Sequence, residues 1–371
     1  MFRGKTVRLF PTKEQEIIFR GCVGLARFAY NYVKALDDQR VEQNEIRLTG
    51  FDLAKELVKL KKQPGYEWMR DYPSDVHKQA ALDFWKAKIR SKKQYGHQGN
   101  TKFKSRKDDV QGFACEYRKT KIGKKTVYIS KIGDVKTGSQ IPRGVALSNP
   151  RVIYKNGKWY ISVSFEVPEE TVSLTEESIG VDFGLTHLAI TSTGQKFENP
   201  NNNPKMKRLD KERRRAQRVM NRRYQKGKKT QSKRYYRAKA KHAQICEKLA
   251  NGRKDARHKI SREIVNQKPK HIVLENLNIK SMMKNKKLSK AIGDAGWYML
   301  RTYITYKAER QGTEIILADT YFASSKLCSA CGEKHEGDFP LSIREWTCQH
   351  CHTHHDRDVN AAINLKQYPT L

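Results

Sequence analysis

The 371-residue sequence predicts an α/β protein in several parts. These are a domain built on a mixed sheet, a small β-barrel before it that carries a helical insert, and a metal-binding ribbon near the C-terminus. Three observations lead there. From Ser178 onward apolar strands alternate with helical patterns. Between about Val110 and Val167 several short alternating segments follow one another. Two Cys-x-x-Cys pairs, Cys328/Cys331 and Cys348/Cys351, stand sixteen residues apart.

Thr6 to Phe10 alternates as a short strand, and Pro11-Thr12 then opens a helix with Thr12-x-x-Gln15 as a capping box. Ile18, Cys22, Leu25, Ala29, Tyr32 and Leu36 carry that helix along one apolar face. Helical pattern also fills Phe51 to Lys61 and Ser74 to Ser91, with Ser74 the expected N-cap. The N-terminal part thus reads as one strand feeding a helical insert.

Gly112–Tyr117, Thr126–Ser130, Arg151–Tyr154 and Trp159–Phe165 read as strands. The last alternates strictly, and Lys155-Asn156-Gly157-Lys158 before it is a hairpin signal. Asn149-Pro150 reads as a turn and Pro168 to Thr175 as a domain boundary. A small barrel is the natural closure for short antiparallel strands.

Ile179-Gly180-Val181-Asp182-Phe183-Gly184 is an apolar strand ending in a carboxylate and a glycine turn, and Leu188 to Ser192 returns as a second strand. His271-Ile272-Val273-Leu274-Glu275 repeats the device. Ala295 to Gln311 is a helix with Trp297, Leu300, Ile304 and Lys307 in register, Glu314 to Leu317 another strand, and Val359 to Leu365 a last helix.

A formal net charge of +36 exceeds anything solubility requires, and a polyanion such as nucleic acid is the partner that relieves the self-repulsion. No apolar run approaches the roughly 20 residues of a membrane span, so a soluble, cytoplasmic protein is expected. Between Lys205 and Lys241 stand 18 Lys or Arg against Asp210 and Glu212 alone. Leu209, Ala216, Val219 and Met220 give this segment a helical rhythm, broken near Gly227, so it reads as a basic helical hairpin. Arg213, Arg214, Arg215, Arg222 and Arg223 are its expected phosphate contacts, and Tyr224, with Tyr235 and Tyr236, offers rings that stack on bases. The plainer alternative is a solvated charged face.

The spacing of the four cysteines is that of a zinc ribbon, in which Cys328, Cys331, Cys348 and Cys351 fill a tetrahedral, structural site. The remaining cysteines, Cys22, Cys115 and Cys246, are scattered, which suits a reducing compartment rather than a disulfide framework. His350, His352, His354 and His355 read as surface or nucleic-acid contacts. Asp182, Glu275 and Asp358 stand at strand ends or a helix start, where acids that face one another favour bound divalent cations. Two Mg²⁺ ions held by oxygen ligands suit phosphodiester hydrolysis. Taken singly each acid has a structural alternative: a turn for Asp182, a Lys partner for Glu275, a cap for Asp358. Asp356 competes for the third role, and Asp358 is preferred as the residue directly before the last helix.

These motifs resemble the TnpB family of transposon-encoded, RNA-guided DNA endonucleases, relatives of the type V CRISPR effectors. The resemblance lies in Ile179–Gly184, His271–Leu277, Ser324-Ser325-Lys326-x-Cys328-x-x-Cys331-Gly332 and Asp356-Arg357-Asp358-Val359-Asn360-Ala361-Ala362, with Arg8–Gln15, Arg27-Phe28-x-Tyr30-Asn31 and Gly157–Tyr160 in support. It implies a RuvC nuclease domain of RNase H-like fold at 176–322 and 355–371, with the basic hairpin at about 204–266. It further implies a zinc ribbon at 323–354, a wedge β-barrel at 1–10 and 101–175, and a helical recognition lobe at 11–100. Asp182, Glu275 and Asp358 match the catalytic triad. The implied partners are a guide RNA from the transposon end and a double-stranded DNA target carrying a short adjacent motif, in a prokaryotic cytoplasm with nucleoid association on DNA.

Two other readings compete: an RNA-guided repressor that binds without cutting, and a transposase catalysing strand transfer. The three retained acids argue against the first, and the lack of a placed Tyr or Ser nucleophile against the second. For the adjacent motif, the helix from Ser74 is expected to present His77, Lys78 and Gln79 to base edges, Gln suiting adenine and Lys guanine or phosphate. An ordinary amphipathic helix is the alternative there.

Overall fold

The computed structural model describes residues 2–95, 101–168, 172–228, 230–340 and 342–368. The chain divides into two units, Met1–Pro168 and Glu169–Leu371, at the boundary the sequence suggests.

The first unit begins with strand β1 (Phe2–Phe10) and three helices, α1 (Lys13–Glu42), α2 (Gly50–Leu60) and α3 (Ser74–Tyr95). Thr12 caps α1 through the predicted box, its hydroxyl accepting from the Gln15 amide while the Gln15 side chain accepts from Thr12 N–H. Ser74 is the first residue of α3 rather than its cap. Strands β2 (Val110–Ala114), β3 (Lys121–Ile122), β4 (Thr126–Ile129), β5 (Gly133–Thr137), β6 (Leu147–Lys155) and β7 (Lys158–Glu166) join β1 in one sheet, ordered β2-β6-β7-β1-β5-β4-β3. Among the described residues no ladder joins β2 to β3. Asn149-Pro150 is a bulge inside β6, where the register to β7 shifts between Ser148 and Arg151, and is not the expected turn. Proline without an N–H is tolerated where pairing is interrupted. Phe19 of α1 packs on Trp159 of β7 at 4.9 Å between ring centroids, and Arg151 of β6 forks onto Asp83 of α3 at 2.7 and 2.6 Å.

The second unit holds strands β8 (Ser178–Asp182), β9 (His187–Thr191) and β10 (Lys196–Glu198), then helices α4 (Pro204–Arg223) and α5 (Lys233–Asn266). Next come β11 (His271–Leu274), short helices α6 (Ile279–Met282) and α7 (Ser289–Ala295), α8 (Trp297–Gln311) and β12 (Glu314–Leu317). A small ladder of β13 (Glu345–Thr347) with β14 (His354–Asp356) leads into α9 (Arg357–Gln367). The sheet order is β10-β9-β8-β11-β12, with β8, β11 and β12 parallel and the β8–β9–β10 edge antiparallel. This is the mixed sheet the strand and helix order predicts. Burial of Ile179, Val181, Ile272 and Leu274 with Ile264 and Leu300 makes its core. No helix among the described residues is long and apolar enough to cross a membrane.

Candidate functional site

Strands β8 and β11 run parallel with Val181 opposite Leu274, so the next residue of each chain, Asp182 and Glu275, emerges at the same sheet end. Asp182 is buried, only 8% exposed, and Glu275 is half-buried. Burial, then the charges of Glu275 and Asp358, pushes the Asp182 carboxyl well above the usual range, partly opposed by Arg357. Burial likewise lifts Glu275 to about 7, against hydrogen bonds from the Phe183 amide and Asp182. Two carboxyls so placed disfavour ionising together, which is the setting in which a bound cation is favoured.

Asp358 joins the pair through α9. Residue 180 is glycine because α9 lies directly on β8: a Cβ there would come 2.5 Å from Lys366 N. The last helix starts two residues before its predicted Val359. Asp356 is its cap, with Oδ1 accepting from the amides of Asp358 and Val359 at 3.0 Å, and Oδ2 lies 2.5 Å from Lys196 Nζ. Asp358 therefore lies in the first helical turn and not directly before the helix. Asp356 is committed to the cap and to Lys196. Asp358 instead adds its charge to Asp182 and faces Arg344, 3.5 Å away.

The four cysteines converge as the sequence expects. Cys328 and Cys351 sulfurs stand 3.6 Å apart, as do those of Cys331 and Cys348, and all four lie within 4.8 Å of one another. A tetrahedral ion with Zn–S bonds of about 2.3 Å sets sulfurs about 3.8 Å apart, so the cluster fits such an ion. It is the one such convergent group of possible ligands among the described residues. His350, His352 and His354 are exposed as expected, but His355 is not. It is buried against Trp346, with Nε2 3.1 Å from Cys328 Sγ, because β14 turns it inward toward the cluster.

The basic segment forms the expected hairpin, α4 packed on α5 through Ala216, Ile245 and Leu249. Arg214, Arg215, Arg222 and Arg223 are exposed, whereas Arg213 is half-buried and committed to Asp210 and Gln217 at 2.9 and 3.0 Å. Tyr224, Tyr235 and Tyr236 form a chain of ring contacts at the hairpin tip. On α3, Lys78 is exposed and Gln79 half-buried beside Asp83, but His77 is fully buried and presents nothing to a partner. The helical period turns it inward with Val76 and Ala80.

Several residues of the site escape sequence reasoning: Lys196, Arg344, Arg357 and the asparagines Asn360 and Asn364. The last two carried a signal, since polar residues four apart amid Ala361, Ala362 and Leu365 share a buried helix face.

A family model described as "Cas12f1-like, TNB domain" matches residues 297–365, one described as "Probable transposase" (OrfB, IS605) matches 160–286, and an OrfB "Helix-turn-helix domain" matches 1–45. The "Putative RNA-guided DNA endonuclease" of Streptomyces pristinaespiralis is 32% identical over 377 residues, covering 96% of this chain and 87% of that one. The similarly named InsQ of Escherichia coli (strain K12) is 26% identical, covering 96% and 90%. The chain of a cryo-EM structure of the Cas12f1-sgRNA-target DNA complex shares the fold, with a TM-score of 0.52 at 12% identity over 99% of this chain and 98% of that one. With motifs, family models and near full-length identity in agreement, the chain belongs to the TnpB family.

Proposed function

We propose that this protein is an RNA-guided, divalent-metal-dependent endonuclease that hydrolyses DNA next to a short adjacent motif. The observation that carries the reading is the emergence of Asp182 and Glu275 side by side from parallel strands, with Asp358 on α9 near enough for its charge to raise the Asp182 carboxyl. We assign the second unit as a RuvC domain of RNase H-like topology (176–322 and 355–371) with its zinc ribbon at 323–354. The first unit is assigned as a wedge barrel (1–10, 101–175) with a recognition lobe at 11–100. The near relatives named as RNA-guided DNA endonucleases support the partners, a guide RNA and a double-stranded DNA target.

Asp182, Glu275 and Asp358 would hold Mg²⁺, and the four cysteines zinc. Mg²⁺ at such a site supplies activation of the attacking water and stabilisation of the leaving oxygen. The chain's own part is to hold Asp182 and Glu275 side by side at one sheet end, where burial raises both carboxyls. Arg344 beside Asp358 adds positive charge where a phosphate would lie. In the reaction a water oxygen bonds to phosphorus, one P–O ester bond breaks, the leaving oxygen is protonated, and a proton passes to solvent.

The hairpin would hold phosphates through Arg214, Arg215, Arg222 and Arg223. Lys78 and Gln79 remain the candidates for reading the adjacent motif, without His77. Incubating the protein–RNA complex with a plasmid library bearing the guide match beside randomised flanks tests the whole reading. Mg²⁺-dependent linearisation restricted to certain flanks is expected, and an uncut but stably bound library would make the protein a repressor. An unchanged flank preference in a Lys78→Ala/Gln79→Ala protein would place the reader elsewhere.

A further inference from the structure

Helix α9 is fastened to the first cysteine knuckle by two buried asparagines. Asn360, 1% exposed, donates from Nδ2 to the Leu327 carbonyl at 2.7 Å and accepts at Oδ1 from Ser329 N–H at 2.9 Å. One side chain thus grips the backbone on both sides of Cys328. Asn364, one turn further on, donates to the same Leu327 carbonyl and to that of Ser324, each at 2.7 Å. His355, next to the Asp356 cap, meets the Cys328 sulfur. On the other side β13, which leads into Cys348, pairs Trp346 with His355 and Glu345 with Asp356. Both knuckles therefore hold the helix that carries Asp358.

Apolar packing alone would let a helix slide or rotate by a fraction of an ångström. A carboxamide satisfied at both ends admits one position, because moving it leaves a donor or acceptor buried without a partner. The Leu327–Ser329 backbone is in turn part of a knuckle whose shape depends on a bound ion. We propose that Asn360 is a positioning residue that couples the four-cysteine site to the carboxylate site. Ion binding at the cysteines sets the Leu327–Ser329 backbone, Asn360 passes that position to α9, and α9 holds Asp358 against Asp182 and Glu275. The proposal rests on the metal-dependent nuclease reading above. Coupling between two sites is reciprocal in binding free energy, so Mg²⁺ at the acids tightens zinc binding at the cysteines although the two share no ligand.

The test uses the full chain, zinc-loaded, with the equilibrium partition of zinc between the protein and a zinc-selective chromophoric chelator measured with and without Mg²⁺. In the wild type Mg²⁺ shifts zinc toward the protein; in Asn360→Ala the partition no longer responds to Mg²⁺. The Mg²⁺ concentration giving half-maximal cleavage rises about tenfold in the variant, the order seen when outer-sphere partners of a metal site are removed. Zinc stoichiometry and a thermal melt confirm that the variant is folded, and if it is not, the wild-type Mg²⁺ effect on zinc partition still decides. A zinc partition indifferent to Mg²⁺ in the wild type, or an unchanged Mg²⁺ requirement in a folded Asn360→Ala protein, overturns the coupling. If the protein cuts no DNA at any Mg²⁺ concentration while Mg²⁺ still tightens zinc binding, the nuclease reading falls and the coupling stands.

Discussion

A Cβ placed on Gly180 would come 2.0 Å from the carbonyl oxygen of Ala362, so the strand that ends in Asp182 and the helix that begins beside Asp358 meet backbone to backbone. No side-chain rearrangement can relieve that contact. Gly180→Ala is therefore expected to push α9 off β8, destabilising the protein by roughly 1–3 kcal/mol, the usual cost of overpacking. Cleavage should fall much further than stability, because Asp358 moves away from its partners. A thermal melt beside a cleavage assay checks this, and a variant that cuts at the wild-type rate would show that the helix has room to move.

Asp182→Ala, Glu275→Ala and Asp358→Ala should each abolish DNA cleavage while leaving RNA and target binding nearly intact, since each removes a cation ligand rather than a contact to nucleic acid. Asp356 provides the contrast. Asp356→Ala loses a helix cap and the Lys196 ion pair, costing about 1 kcal/mol, whereas Asp356→Asn keeps a capping oxygen and most of that stability. Cleavage and binding measured across the four positions separate ligand from cap, and full activity in Asp358→Ala would reverse the assignment.

That contrast shows where sequence reading stops. The two acid-ended apolar strands were legible from their residues, but their parallel pairing, with Val181 opposite Leu274, is set by the sheet and not by either run alone. The cysteine site was legible from spacing alone. Which acid caps the helix was not, since two acids separated by one residue differ only in which way the helix start turns them, and Lys196, 160 residues away, holds Asp356 there. His355 and His77 failed for a related reason. Imidazole is common on surfaces, and only the partner elements show that these rings face inward. The β6 bulge was read as a turn because Asn-Pro signals a break in pairing without saying whether the chain reverses.

Removing the ion from the cysteine site should loosen α9 as well as the ribbon. Cys348→Ser is expected to bind less than one zinc per chain and to lose most cleavage, because structural zinc supplies local folding free energy. Elemental analysis with hydrogen exchange across Arg357–Gln367 reads both effects. Undiminished protection of that helix in a zinc-free protein would separate the ribbon from the site.

The hairpin should act on phosphates irrespective of sequence. Neutralising Arg214, Arg215, Arg222 and Arg223 together is expected to weaken binding equally for all guides. It should reduce the slope of log K against log salt by roughly 3, since each cation paired with a phosphate accounts for about 0.7–0.9 of that slope. Arg213→Gln should change little, since its guanidinium is already taken by Asp210 and Gln217. A salt slope untouched by the fourfold variant would make these cations a solvated face.

His77 gives the first unit a dependence on pH that has no bearing on catalysis. Its ring is fully buried with neither nitrogen hydrogen-bonded, and burial, then the nearby Lys61 and Lys78, lowers its pKa from the usual 6.5 to about 4. A base whose folded pKa is depressed binds its proton more readily in the unfolded chain, so stability rises with pH through this window. Its contribution is whole above about pH 6.5 and is lost progressively as the pH falls toward 4, amounting to roughly 3 kcal/mol in all. His77→Leu removes the titrating group and the two unpaired nitrogens at similar volume, so it should stabilise the protein at pH 7 and flatten its acid sensitivity. Subtracting the two denaturation curves across pH 4–7 isolates this residue from the carboxylates and cysteines that titrate in both proteins. A difference that stays constant over that range would mean that the buried ring is never asked to take up a proton.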